Sequence, residues 1–361
     1  MLRYFFTLLL LTADVWPLPP ACSQDVLWLS EVTTPPANPV LPSPGRIDPL
    51  LPAPTASLAD WQQQRPQVLS KWQKFLGPMP QPGPLMVTVL KTEQVGTIDR
   101  KLLEYDGEPG LRVEGWLLEP RQRSGRLPAL VGLHQTTNAS IDEIAGVSGP
   151  DAMQIGLKLA RRGFVVFCPR CFLWQDTPNL NAAVDKHRQR HPHTTGMAKM
   201  LYDARRAVDL LESLDSVDRD RIGAIGHSLG AKEALYLAAF DDRIRAAVAC
   251  EGGLGFRSTN WDAPWYLGPA IRSEDFPLNH HQLLALIAPR PFLVIGGESG
   301  PGAADGDRSW VLLNAALPIW KLYGSPARLG LLNHRQGHSI PETTFERMAD
   351  WLITYTMKSE N

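Results

Sequence analysis

Apolar and polar positions follow two different patterns along the chain, and the change comes near Pro128. After this point, short apolar runs alternate with stretches of helical length and periodicity. The apolar runs read ALVGLH, FVVFC, IGAIG, IRAAVAC, PFLVIG and RLGLLNH, and the predicted helices include residues 152–162, 198–214, 231–240 and 342–355. Short apolar strands that alternate with helices predict a parallel sheet covered on both faces.

The residues before Pro128 predict one helix followed by an antiparallel region. The apolar side chains of residues 61–76 fall on one face of a helix, which should end at Gly77 and Pro78. Three segments of β character follow, separated by glycine, aspartate and proline: residues 86–95, 100–105 and 111–118. The sequence therefore predicts one α/β domain over residues 61–358, with a mostly parallel central sheet, flanking helices and an antiparallel N-terminal start.

The first residues have the composition of a secretory signal. Arg3 supplies a positive charge, the run YFFTLLLLTADVW supplies an apolar core, and Ala21 and Ser23 are the small residues that a signal peptidase reads. We expect cleavage near Ser23, with residues 1–23 as the signal and a periplasmic or extracellular protein. An uncleaved anchor is the alternative, although the run is short for a bilayer. The prolines beside Cys22 disfavour a lipoprotein signal.

Proline dominates the segment that follows. Half of the 32 prolines lie between positions 17 and 84. Because a proline-rich run forms neither a helix nor the interior of a sheet, residues 24–60 are predicted to be an extended or disordered lead-in.

The remaining composition narrows the possible partners. Hydrophobic residues make up 44% of the chain and charged residues 20%, and the formal net charge is -1. This balance gives no indication of a nucleic-acid partner, and no later stretch is long and apolar enough to span a membrane. Cys168 and Cys171 form CPRC, but a metal site needs about four ligands and no second pair is present. We expect packing cysteines, whose redox state stays open, and neither a metal nor a cofactor.

The stretch GHSLG, residues 226–230, matches the pattern G-x-S-x-G. It lies between the predicted strand RIGAIG and the predicted helix AKEALYLAAF, so Ser228 would occupy a sharp strand-to-helix elbow. Side chains at Gly226 and Gly230 would collide with the neighbouring strand and helix. Such an elbow exposes the hydroxyl at the positive end of the helix dipole. Five-residue matches also occur by chance in ordinary turns, but this context favours a nucleophile.

A serine nucleophile needs a base, and in this arrangement the base comes late in the chain. His334 ends the last predicted strand, and His338 follows it. His338 follows a glycine in the loop before the last helix, so we predict that it is the base, and we interpret His334 as a structural residue. His227, beside the serine, is interpreted as a packing or supporting residue.

The third member should be a carboxylate that orients the histidine. Glu251 follows the strand AVAC and precedes two glycines, and we rank it first. Asp305, in the loop after PFLVIGG, is ranked second. In the same loop, Asp307 could instead cap a helix, and Glu298 could be a solvated loop residue.

The oxyanion formed by attack on a carbonyl needs backbone N–H donors. The residue after the nucleophile, Leu229, supplies one of them. The second should come from the loop after LVGLH, where Gln135 or Thr136 is the candidate.

Residues 61–351 resemble the α/β-hydrolase superfamily, and within it the carbohydrate-esterase branch of acetyl xylan esterases and glucuronoyl esterases. Four stretches carry the resemblance: residues 191–232 around the elbow, NHHQLLALIAPRPFLVIGGES before the acid loop, HRQGHS at the histidine loop and CEGGLG at residues 250–255. The resemblance implies a serine esterase with His338 in the catalytic position and Glu251 as the acid. Glucuronoyl esterases usually carry an arginine after the nucleophile, where this chain has Leu229, whereas Lys232 is retained.

Aromatic residues suggest where a carbohydrate would bind. Trp261 and Trp265 lie in an insertion after the Glu251 turn, and Trp174 follows CPRC. Indole rings stack well on sugars, although the same residues could simply pack the insertion onto the body.

These features predict an exported serine hydrolase that cleaves carboxylic esters, on a small molecule or an oligosaccharide, with acetyl or related esters of plant or algal polysaccharides as the expected substrates. A hydrolase-fold protein that binds carbohydrate or a partner without turnover is the alternative. A serine peptidase of the same fold is a further one.

Overall fold

A computed structural model describes residues 25–37, 45–299 and 306–357. Its centre is a nine-stranded sheet. The strands, in chain order, are β1 (Val87–Val95), β2 (Ile98–Asp106), β3 (Arg112–Pro120), β4 (Leu127–Leu133), β5 (Val165–Pro169), β6 (Val217–His227), β7 (Ile244–Cys250), β8 (Phe292–Gly296) and β9 (Leu329–Asn333).

The order of the strands in the sheet is β1-β2-β3-β5-β4-β6-β7-β8-β9. β1, β2 and β3 pair antiparallel, and β3 pairs antiparallel with β5. All pairs from β5 through β4 to β9 are parallel. The predicted fold class, a mostly parallel sheet with an antiparallel start, is confirmed. The carboxyl ends of β4, β6, β7, β8 and β9 consequently meet at one edge, where α/β proteins bind their ligands.

Helices cover both faces of the sheet. In chain order they are α1 (Leu29–Thr33), α2 (Leu58–Leu76), α3 (Ile141–Ile144), α4 (Ile155–Ala160), α5 (Leu180–Arg190), α6 (Gly196–Ser213), α7 (Leu229–Phe240), α8 (His280–Ile287), α9 (Trp310–Leu322) and α10 (Glu342–Leu352). One hydrophobic layer packs α2 and α5 to α9 on one face, and a second packs α1, α3, α4 and α10 on the other. This two-layer burial explains why the strands after β3 are largely apolar, in β6 from Ile222 onward.

The predicted helix in residues 61–76 is present as α2, which begins three residues earlier. Ser57 caps it: its hydroxyl accepts from the Asp60 N–H, and the Asp60 carboxylate accepts from the Ser57 N–H. Such a reciprocal cap satisfies two N–H groups that the helix itself cannot pair. The helix ends at Gly77, as predicted.

Part of the proline-rich lead-in packs on the domain. α1 lies within residues 24–60, and Leu29 and Val32 are buried. The indole of Trp28 donates to Asp350 at 2.6 Å and lies 5.8 Å from the ring of Trp351. The expectation of an extended lead-in is therefore wrong for α1, because Val32 packs on Gly330 of β9 and Trp28 on α10, partners that local sequence does not reveal. The predicted signal, residues 1–23, lies outside the described residues.

The sheet ends in an exposed edge strand, β1. Its first six residues, Val87 to Thr92, are exposed, and they include the apolar Val87, Val89 and Leu90. A register shift between Val89 and Lys91 interrupts its pairing with β2.

Within the described part of the chain, none of the helices is long and apolar enough to cross a bilayer.

Candidate functional site

Ser228 occupies the turn between β6 and α7. Its backbone angles are φ 55° and ψ -111°, a region that side-chain-bearing residues rarely adopt. The strained conformation is stabilised by its own N–H, which donates to the Cys250 carbonyl at 2.8 Å. The residue is half-buried, so its side chain retains access to solvent. This is the geometry of the elbow that the sequence predicts.

Two glycines allow the elbow to form. A Cβ at Gly226 would overlap the backbone of Gly230, and a Cβ at Gly230 would overlap the carbonyl of Leu133 in β4. Both separations lie well under the 3.0 Å that real Cβ atoms keep. The first turn of α7 therefore packs directly on the end of β4, and neither position tolerates a side chain.

Glu251 and His338 come together beside the elbow. Glu251 directly follows β7 with φ 62°, and its N–H donates to the Ile295 carbonyl at 2.7 Å. The Nδ1 atom of His338 lies 3.1 Å from Oε2 of the Glu251 carboxylate. Because Nδ1 is engaged in this way, Nε2 of His338 is left for another partner. The ring of His338 also lies 4.9 Å from that of His227, the residue before Ser228.

The same carboxylate contacts a second histidine. Nε2 of His334 lies 2.5 Å from Oε1 of Glu251. Burial by itself would raise the pKa of Glu251, but the hydrogen bonds from His334 and His338 outweigh it and lower the pKa below its ordinary value. The carboxylate is therefore ionised at neutral pH.

Of the other candidate acids, Glu298 and Asp307 make no described contact with these histidines. Asp305 lies outside the described residues. Glu298 and Asp307 both pair with Arg335, each at 2.5 Å, and both accept from the Asn333 amide. These two acids thus belong to a polar network with Arg335 and Asn333, which we call the rim of the site.

His227 belongs to a buried polar chain that the sequence did not reveal. Its Nδ1 atom lies 2.6 Å from Oε1 of Gln135, and the Gln135 amide donates to Glu143 at 2.9 Å. Burial, together with the neighbouring His338, lowers the pKa of His227 to about 3, so the ring is neutral. Nδ1–H then donates to Gln135, and the buried Nε2 has no protein partner. Gln135, in the loop after β4, and Glu143, in α3, are eight positions apart, a spacing without a recognisable pattern.

The three predicted oxyanion donors lie on adjacent segments. Leu229 is the first residue of α7, and Gln135 and Thr136 follow β4. β4 and β6 are paired neighbours, with Leu133 opposite Gly226. The end of β4 therefore lies against the elbow, where both segments can present N–H groups.

The predicted aromatic contacts divide into two kinds. Trp261 is fully buried, its N–H donates to the Gly253 carbonyl, and its ring packs on His280 and lies under the Lys232 ammonium. The prediction that Trp261 stacks on a substrate is wrong for this reason, since no face of the ring reaches solvent. The insertion instead packs onto the body through it.

Trp265 and Trp174 are half-buried and keep part of their surface. Trp174 lies edge-on to His134, with ring centroids 5.0 Å apart. Both remain available as predicted substrate contacts.

The CPRC cysteines are buried packing residues. Cys168 and Cys171 are both free thiols, and burial raises the pKa of each well above its ordinary range. Among the described residues, no group of three His, Cys, Asp or Glu side chains is arranged to hold a metal ion.

The sheet order and the elbow define the class: the chain has the α/β-hydrolase fold. Residues 136–272 match the dienelactone hydrolase family. The protein YtaP of Bacillus subtilis (strain 168), named as a hydrolase, is 25% identical over 239 residues, which cover 62% of this chain and 77% of YtaP.

Carbohydrate esterases are also similar to this chain. The 4-O-methyl-glucuronoyl methylesterase 1 of Sodiomyces alcalophilus is 29% identical over 130 residues, which cover 28% of this chain and 26% of that protein. The glucuronoyl esterase from Solibacter usitatus has a TM-score of 0.69 at 18% identity, covering 90% of this chain and 99% of that one. The predicted resemblance to carbohydrate esterases is confirmed, and the class that these relatives define is that of carboxylic ester hydrolases.

Proposed function

We propose that this protein is an exported serine esterase that cleaves carboxylic esters on carbohydrates. The observation that carries the proposal is the Glu251–His338 pair, whose histidine ring lies 4.9 Å from that of His227, the residue before Ser228 on its strained elbow. The order Ser228, Glu251, His338 along the chain is the order in which α/β-hydrolases carry their triad. Export rests on the signal-like composition of residues 1–23.

The reaction uses a covalent intermediate. The Ser228 hydroxyl attacks the ester carbonyl carbon while its proton passes to Nε2 of His338, and the resulting oxyanion accepts from the N–H groups of Leu229 and of Gln135 or Thr136. Collapse breaks the bond to the leaving oxygen, which takes the proton from His338 and departs as an alcohol. Water then attacks the acyl-enzyme through the same steps and releases the acid.

Glu251 has two roles in this scheme. It holds His338 through Nδ1, so that Nε2 is left to take the serine proton, and its negative charge stabilises the imidazolium that forms during attack. Its lowered pKa supports both roles, because the carboxylate stays ionised over the pH range in which a histidine serves as base.

A carbohydrate ester is the substrate class that the relatives' names support. Trp265 and Trp174 keep part of their surface, and Trp174 lies against His134 after β4; both could stack on a sugar ring. Leu229 stands where glucuronoyl esterases usually carry an arginine, which favours acetyl or related esters over uronate esters.

The test is hydrolysis of a short-chain aryl acetate and of a methyl glucuronate ester by the protein and by Ser228→Ala. Ser124→Ala, in the exposed loop between β3 and β4, is the matched control. We expect hydrolysis that Ser228→Ala abolishes and Ser124→Ala leaves unchanged, with fluorophosphonate labelling of Ser228 alone. Labelling without hydrolysis of either ester would overturn the substrate class. Labelling that Ser228→Ala does not reduce would overturn the nucleophile and favour a binding protein.

A further inference from the structure

The carboxylate of Glu251 is held from two sides. Its side chain is fully buried, with an exposed fraction of 0%. Oε2 lies 3.1 Å from Nδ1 of His338, and Oε1 lies 2.5 Å from Nε2 of His334. Each oxygen thus faces a different imidazole, and the proposed reaction uses one of the two.

The protonation of His334 follows from its other nitrogen. The backbone N–H of Gln336 donates to Nδ1 of His334 at 3.2 Å. A nitrogen that accepts this hydrogen bond carries no proton, so the ring proton of the neutral imidazole is on Nε2. His334 is therefore a neutral donor that points its N–H at Oε1 of Glu251.

The backbone around this contact is closely packed. Gly297, after β8, lies so near that a Cβ there would be 2.9 Å from Oε1 of Glu251. The N–H of Glu298 donates to the Gln336 carbonyl at 2.8 Å, which ties the loop after β8 to the loop that carries both histidines. The donor from His334 consequently approaches Oε1 from a fixed direction.

From these contacts we propose that His334 is a positioning residue for the proposed reaction. It clamps Oε1 of Glu251, so that Oε2 remains directed at Nδ1 of His338 throughout the proton transfer. This role rests on the proposed function of Ser228 and His338. Without the clamp, the carboxylate can rotate about its last torsion angle, and the histidine loses its fixed orientation.

Other charged and titratable groups surround this pair. His227 faces it from the elbow, Cys250 precedes Glu251 on β7, and Arg335 with Glu298 and Asp307 forms the rim. Burial keeps His227 neutral and the Cys250 thiol protonated. Burial raises the pKa of Glu251 and the donors that reach its carboxylate, of which His334 is one, lower it, so the loss of a donor should change the pH dependence of the Glu251–His338 pair.

The experiment compares His334→Phe, which removes the donor, with His334→Gln, which retains an N–H donor. For His334→Phe we expect kcat to fall by up to about 100-fold with KM unchanged, as for a small misplacement of a catalytic group. The acid limb of the kcat/KM profile should move to higher pH, since a carboxylate that has lost a donor binds a proton more strongly. His334→Gln should recover most of both effects.

Titration of active sites with a fluorophosphonate separates the possible results. Wild-type kcat and an unmoved acid limb in His334→Phe would overturn the proposal. Equal losses in both variants, in proportion to the loss of labelled sites, would indicate a merely structural role and also overturn it. A wild-type protein whose Ser228 is not labelled would instead overturn the proposed function, and this role with it.

A measurement on the unmodified protein does not depend on the folding of any variant. In ¹⁵N NMR spectra at neutral pH, we expect Nε2 of His334 to have the shift of a protonated ring nitrogen and Nδ1 that of an unprotonated one. The reverse pattern would show that His334 does not donate to Glu251 and would overturn the proposal.

Discussion

Gly230 in α7 packs against the carbonyl of Leu133 at the end of β4, with no room for a Cβ between them. This contact holds the elbow against the strand that leads into the predicted oxyanion loop. Gly230→Ala must push the helix away from the strand, and we expect a loss of about 1–3 kcal/mol or more in the free energy of unfolding, with near-complete loss of esterase activity. Gly83→Ala, at a position with open space, is the control and should change neither. Denaturant unfolding and ester hydrolysis measure the two effects.

Glu251→Gln should remove the negative charge opposite His338 while preserving the shape of the side chain. We expect kcat to fall by about 10³–10⁴-fold, the size of effect seen when a triad carboxylate becomes an amide. Glu298→Gln and Asp307→Asn are the controls, because both acids pair with Arg335 rather than with a catalytic histidine. Activity that survives Glu251→Gln and disappears in Asp307→Asn would move the acid to the loop after β8.

The fold was largely predictable because its signals are local. Continuous apolar strands, the capped helix α2 and the G-x-S-x-G pattern each depend on residues that are close in sequence. Trp261 shows the limit of prediction from local sequence. An indole in a loop insertion gives the same sequence signal whether it lines a cleft or fills the core. Its burial depends on His280 and Lys232, which are brought to it only by the folded chain.

The candidate site shows the same division. Ser228, Glu251 and His338 each have a recognisable position after a strand, and the sequence singled them out individually. His334 and Gln135 lie in loops and Glu143 lies in the short helix α3. Their contacts depend on side-chain directions for which the sequence carries no periodic signal.

The chain Glu143–Gln135–His227 predicts a difference between two substitutions. Glu143→Leu leaves the Gln135 amide without its acceptor, at a cost of about 1–3 kcal/mol, and frees the side chain beside the oxyanion loop. We expect kcat to fall about tenfold. Glu143→Gln keeps an oxygen acceptor and should stay within about twofold of wild type. Steady-state kinetics of the two variants test this, and equal activities would show that the chain does not support the loop.

Five buried histidines should make the protein sensitive to acid. Burial lowers the pKa of His134, His187 and His281 to about 4 and that of His227 and His280 to about 3, from an ordinary value of 6.5. Below 6.5 the unfolded chain binds protons at these positions and the folded protein does not. The free energy of unfolding should therefore decrease as the pH falls from about 6.5 towards 4, by about 1.4 kcal/mol per pH unit for each histidine.

Thermal unfolding between about pH 7 and pH 4.5 measures this slope. His280→Gln should unfold more easily at pH 7 but show a shallower slope, since one histidine no longer contributes. His193→Gln, at an exposed position, should leave the slope unchanged. An unfolding free energy that is flat between pH 6.5 and 4.5 would contradict the neutral state of these rings.

Trp261 and Trp265 should respond differently to truncation. Trp261→Ala removes a fully buried ring and should destabilise the fold by about 3–5 kcal/mol. Trp265→Ala removes a half-buried ring, and we expect a several-fold increase in KM for an oligosaccharide ester with little change for an aryl acetate. Equal KM changes for the two substrates would argue against a sugar contact at Trp265.

The position of Glu251 directly after β7 has a consequence for how such proteins diversify. Because Glu251 supplies the carboxylate that contacts both histidines, the loop after β8 does not need to supply one. Mutation and insertion can then accumulate in that loop beyond Gly297 and Glu298, whose contacts with Glu251 and Gln336 fix its start, without displacing the reacting groups. Lineages that carry this arrangement gain a freely variable rim, through which new substrate preferences can be selected while the chemistry stays the same.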